Sequence, residues 1–84
     1  MATPAVQFAQ AIRQVRRRRR LSQEKLAARA GIHRTYMSAI ERGKANMSIG
    51  VATRLAAALE MTLSELVRRA EDLGGAGRGE RRRA

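Results

Sequence analysis

Large apolar side chains recur along this chain at every third or fourth position, the period of helices rather than strands. Phe8, Ile12 and Val15 share one face of a stretch from Pro4 to about Arg19. Thr3 stands before it as an N-cap, and Pro4 fits the first helical position, where no backbone N–H is needed. Ser22 caps a second helix that carries Leu26, Ala27 and Ala30 and ends at Gly31. A third helix covers about His33 to Arg42 and stops at Gly43. Ser48 caps a fourth, with Ile49, Ala52, Leu55, Ala56 and Leu59 as its apolar set. Thr62-Leu63-Ser64-Glu65 forms a capping box for a fifth helix that runs to about Leu73. The pattern predicts an all-α, five-helix domain over residues 1–73. From Gly74 the sequence GGAGRGERRRA holds four glycines and no apolar residue larger than alanine, which predicts a disordered basic tail over 74–84.

Helices two and three are joined by only a few residues around Gly31. Two helices meeting at a sharp angle need a residue there that tolerates a left-handed backbone, and a small residue where they touch. Gly31 and Ala27 supply these, and Leu26, Ala30, Ile32, Met37 and Ile40 supply the apolar seam. The order reads as a helix-turn-helix. On a wheel at about 100° per residue, Tyr36, Met37 and Ile40 fall on one side of the third helix. Arg34, Thr35, Ser38, Ala39 and Arg42 fall on the other, a face that carries no acid.

Charge gives that face a partner. The chain has 84 residues and a net charge of +11, of which the segment from Gly74 holds +3 and the body +8. Such a surplus favours a polyanion, either nucleic acid or an anionic membrane. Only Phe8 and Tyr36 are aromatic. Readers of single strands and of most RNA stack bases on several rings, so duplex DNA is the better match. There is no cysteine and one histidine, so neither a disulfide nor a metal site is expected, and no cofactor is implied. No nucleophile–base pair or carboxylate pair is visible, and an enzyme is not expected. The N-terminus lacks a basic segment followed by an apolar one, and the longest apolar run, Leu55–Leu59, is too short to span a bilayer. The expectation is a soluble cytoplasmic protein.

The stretch LSQEKLAARAGIHRTYMSAIERGKANMSI resembles the helix-turn-helix domain of the Cro/phage-repressor (XRE) family. The likeness runs from Arg16 through Leu66. Within the family, Arg34 to Gly43 followed by Asn46 is similar to the controller proteins of restriction–modification systems. The resemblance implies that the third helix is the recognition helix, entering the major groove. Arg34 is the expected base reader, because its fork grips guanine O6 and N7 together. Thr35 and Ser38 are further candidates for base contact, and Ala39 for a thymine methyl. Gln23 matches the family glutamine that hydrogen-bonds a phosphate, at a helix N-terminus suited to anions. Tyr36, Arg42, Lys44 and Asn46 are candidate phosphate contacts. Arg16 and Glu41 match a family pair that ties the first helix to the third. His33 departs from the usual Ser, Thr or Asp cap, which predicts a weaker start to the recognition helix. Arg20 and Glu60 stand where glycine often ends a helix.

One recognition helix reads only a few base pairs, so a homodimer on a pseudo-palindromic operator is expected. The fifth helix carries more apolar residues than an inner seam alone needs, which nominates Met61, Leu63, Leu66, Val67 and Ala70 as the dimer interface. Two other functions stand beside this one. A DNA-binding antitoxin would need a surface for a toxin, and only the fifth helix or the tail is available for it. A basic amphipathic binder of membrane or RNA would need an exposed bulky-apolar helix face. The nearest is on the first helix, where the core requires it. No small-molecule effector is expected.

Overall fold

The structure, a computed structural model, describes residues 3–74. The expected tail lies outside these residues except for Gly74, which closes the last helix. Five helices follow in order: α1 (Pro4–Arg18), α2 (Gln23–Ala30), α3 (Arg34–Glu41), α4 (Ile49–Ala58) and α5 (Leu63–Gly74). No strand occurs among the described residues.

Every helix start is closed by a side chain one residue upstream. Thr3 Oγ1 accepts from the Val6 N–H, Ser22 Oγ from Lys25 and Ser48 Oγ from Val51, at 3.0–3.2 Å. Thr62 and Glu65 make the reciprocal capping box, with Thr62 N–H donating to Glu65 Oε1 and Glu65 N–H to Thr62 Oγ1. At α3 the cap is His33, whose Nδ1 accepts from the Thr35 N–H at 3.1 Å. The imidazole therefore supplies the acceptor that a serine or aspartate would.

Helix ends repeat one motif. After α2, Gly31 turns left-handed at φ +69°, and the Ile32 N–H returns to the Ala27 carbonyl at 2.9 Å. After α3, Gly43 does the same at φ +71°, and Lys44 N–H returns to Ala39. Arg20 and Glu60 take the left-handed position after α1 and α4, at φ 58° and 63°, with Leu21 and Met61 N–H groups returning to Arg16 and Ala56. The turn geometry thus survives without glycine at two of four sites. Arg19 Nη1 and Glu60 Oε1, 3.0 Å apart, link those two turns.

α1 packs against α5 and α3, α2 against α4 and α3, and α4 against α5. Ile12, Leu26, Met37, Ile40, Leu55, Leu59 and Leu66 are fully buried between them. Two sequence expectations fail here. Leu66 is 0% exposed and Ala70 1%, so both belong to the core and neither offers surface to a second subunit. Of the apolar residues of α5, Leu66 and Ala70 are consumed by the core, while Leu63 and Val67 stay half-buried and Leu73 exposed. Ile49, conversely, is 77% exposed, because the first turn of α4 projects past the core that Ala52 and Leu55 reach.

Candidate nucleic-acid interface

The position of α3 is set from its C-terminal end. Glu41, 4% exposed, is the only buried charged residue among those described. Arg16 meets its carboxylate with two donors, Nε to Oε2 at 2.7 Å and Nη2 to Oε1 at 3.0 Å. Arg16 Nη1 also donates to the Leu21 carbonyl at 2.9 Å, fixing the turn between α1 and α2. Arg13 Nη1 donates to the Glu41 backbone carbonyl, satisfying an acceptor left over at the end of α3. One arginine thus joins α1, the following turn and α3. No buried side-chain polar atom among those described lacks a partner.

Gln23 extends this network towards the surface. Its Nε2 donates to Glu41 Oε1 at 3.2 Å, so the amide is held with nitrogen inward. An amide nitrogen carries two hydrogens, and the second remains available to an acceptor outside. Gln23 is half-buried at the start of α2, where the helix N-terminus adds backbone N–H groups. A carboxylate below and an anion-seeking helix end above therefore orient the same side chain.

Across from it lies the exposed face of α3. Gln23, Arg34, Thr35, Ser38 and Arg42 line one shallow cleft between α2 and α3. Arg34 and Thr35 are exposed, while Ser38 and Ala39 are half-buried at the bottom of the face. Arg42 Nη1 donates to Ser38 Oγ at 2.7 Å, which leaves the Ser38 hydroxyl hydrogen for another acceptor. Arg34 Nη1 lies 2.9 Å from Glu24 Oε2, an acid next to the face that the wheel of α3 alone does not reveal.

The flank is formed by the α3–α4 loop. Lys44 and Asn46 are exposed there. The Tyr36 hydroxyl donates to the Asn46 carbonyl at 3.2 Å. A phosphate oxygen only accepts, and a phenol has a single proton. In this geometry Tyr36 orders the loop, and a phosphate would have to displace Asn46 to receive that proton.

The remaining apolar surface is elsewhere. Phe8, Met47, Ile49, Leu63 and Val67 line a trough between the N-terminal part of α1, the α3–α4 loop and α5. Met61 lines a different, charged groove with Arg19, Glu60 and Leu73. Of the five residues nominated for an interface, Leu63 and Val67 alone share the trough. Ile49, the most exposed large apolar side chain in it, does not stand out in the sequence because its spacing from Ala52 reads as inward.

A helix-turn-helix family model matches residues 12–66, which spans α2, α3 and α4 with the second half of α1 and the start of α5. The chain belongs to this helix-turn-helix family. It is 40% identical over 62 residues to control protein C.MunI of a Mycoplasma species, covering 73% of this chain and 84% of that protein. Control protein C.BamHI of Bacillus amyloliquefaciens is 41% identical over 61 residues, covering 71% and 75%. Among solved structures, the restriction-modification controller protein C.AhdI from Aeromonas hydrophila superposes with a TM-score of 0.71 at 40% identity, covering 74% of this chain and 94% of that one. Within the helix-turn-helix family the chain is of the Cro/phage-repressor type, and it is a DNA-binding transcriptional regulator. Its α2 and α3 are the two helices of the motif. No described helix is long and apolar enough to cross a membrane.

Proposed function

We propose that the chain controls a restriction–modification system by binding, as a homodimer, a pseudo-palindromic operator in double-stranded DNA. The reading is carried by one observation: Gln23, Arg34, Thr35, Ser38 and Arg42 share a single cleft across α2 and α3. Arg34 reads a guanine, Thr35 and Ser38 contact neighbouring base edges, and Ala39 meets a thymine methyl. Gln23, with Arg42, Lys44 and Asn46, fixes register on the phosphates. Tyr36 acts chiefly by holding the loop that presents Lys44 and Asn46. The names of the relatives support restriction–modification control over the antitoxin alternative. Work on DNA in this role belongs in the cytoplasm, on the nucleoid.

The trough of Phe8, Met47, Ile49, Leu63 and Val67 is the surface proposed for the second copy. An isoleucine 77% exposed beside four partly covered apolar residues is unfavourable in water and gains by self-association. Two-fold pairing would set the two α3 helices about 34–36 Å apart, one turn of duplex.

Selection of bound duplexes from a random pool, at several salt concentrations, tests the reading. Enrichment of a two-fold repeat with half-sites one helical turn apart is expected, and enrichment of no common sequence would overturn it. Light scattering tests the trough separately. Ile49→Glu is expected to stay folded and to lower the mass to that of one chain, whereas an unchanged mass would move the interface.

A further inference from the structure

Six acids fall within the described residues, and five lie off the exposed face of α3. Glu41 is buried against Arg16, Glu60 pairs with Arg19, Glu65 closes the capping box, and Glu71 and Asp72 lie near the end of α5. Glu24 is the exception. It sits beside Gln23 in the first turn of α2, and its Oε2 lies 2.9 Å from Arg34 Nη1. Both side chains are largely exposed, 64% for Glu24 and 68% for Arg34.

The placement works against simple DNA affinity. Gln23 offers a donor at a helix N-terminus that favours an anion. Its neighbour offers a carboxylate, which only accepts hydrogen bonds and repels a phosphate. Favourable interaction with the helix dipole explains an acid at this position, but not its contact with the arginine best suited to reading a base. An arginine on a flexible stem beside the DNA backbone will otherwise neutralise whichever phosphate is nearest, and a phosphate is present at every sequence. A guanidinium has five N–H donors, so one held by Glu24 leaves enough for a bidentate grip on guanine.

Building on the proposed function, we propose that Glu24 is a positioning residue that keeps the Arg34 guanidinium off the phosphates and so sets the ratio of specific to non-specific DNA affinity. On random duplex the pair stays closed and Arg34 contributes little charge. On the cognate site the guanine edge supplies two acceptors in a fixed geometry, and Arg34 engages them from the position Glu24 gives it. Specificity is then raised by suppressing the wrong contact as well as by making the right one.

The test compares Glu24→Gln with Glu71→Gln, which changes net charge equally on α5, and with Glu24→Gln in an Arg34→Ala background. Binding is measured against salt on a selected duplex and on a scrambled one, with melting temperature as the check on folding. On the scrambled duplex, Glu24→Gln is expected to steepen the slope of log K against log salt by about 0.9 relative to Glu71→Gln, the signature of one added phosphate contact. Its affinity advantage there should shrink about three- to fourfold over a fourfold rise in salt. The specific-to-non-specific ratio should fall, and both effects should vanish without Arg34. Identical slopes for the two glutamine variants, or an effect that persists in the Arg34→Ala background, would overturn the role of Glu24. A wild-type protein that prefers no duplex over scrambled DNA would overturn the functional reading itself.

Discussion

The two ends of α3 each carry an ion pair, and the two pairs differ in nearly every respect. At the C-terminal end, Glu41 and Arg16 are 4% and 14% exposed, share two hydrogen bonds and recruit Gln23. At the N-terminal end, Arg34 and Glu24 are 68% and 64% exposed and share one contact. A buried pair in which each buried polar atom has a partner fixes geometry, because exchanging either partner leaves a charge stranded. An exposed pair contributes about 0–1 kcal/mol to stability, so it sets where a side chain rests without fixing the fold. The helix is therefore anchored at one end and left exchangeable at the other. That division suits a reader whose frame must stay rigid while its reading side chains adjust to bases.

Removing the anchor should have the largest effect. Arg16→Met leaves the Glu41 carboxylate buried and uncompensated, and a loss of about 3–5 kcal/mol is expected in chemical denaturation. A cycle with Glu41→Gln and the double variant should show strong coupling. Additive effects would erase the contrast between the two ends.

The next effect belongs to the same end. Gly43 is left-handed, and a Cβ there would meet Val6 Cγ2 at 3.0 Å and Val6 Cα at 3.3 Å. Gly31 is equally left-handed, but a Cβ there meets nothing within 4 Å. Both alanine substitutions incur the left-handed penalty of about 1–2 kcal/mol, and Gly43→Ala alone adds a clash with α1. Thermal melts should rank Gly43→Ala below Gly31→Ala. Equal losses would mean that the α1–α3 contact yields easily and the anchor is less rigid than described.

A smaller loss is expected at the N-terminal end of α3. His33→Ala removes the acceptor for the Thr35 N–H and should cost about 1 kcal/mol, whereas His33→Ser should retain most of the stability. A silent His33→Ala would show that water serves this cap as well as the imidazole does.

Much of this fold was legible because its signals are local. Thr3, Ser22, Ser48 and the Thr62–Glu65 box need only the next turn of backbone, and Gly31 and Gly43 declare their turns by themselves. The outward side of α3 followed from its period. The capping nitrogen of His33 was not legible, since it depends on a ring rotamer that residue type does not fix. Nor was the convergence of Arg13 and Gln23 on Glu41, which requires the angle between α1 and α3. Leu66 and Ala70 read as surface because a sequence shows how many apolar residues a helix holds, not how much of a neighbour covers them. Ile49 erred the other way, since helical spacing does not reveal where the core ends. The acid beside Arg34 comes from another helix, beyond the reach of any wheel.

The central claim is that the exposed end of α3 reads bases while the anchored network holds register. Arg34→Ala should leave the melting temperature nearly unchanged, as expected for an exposed side chain. Measured against a panel of single-base variants of the selected operator, it should lose about 1–3 kcal/mol on the cognate sequence and flatten the preference at one position per half-site. Gln23→Ala on the same panel should weaken all sequences alike. A uniform loss for Arg34→Ala, with every base preference intact, would contradict the account and place the reading elsewhere on the face.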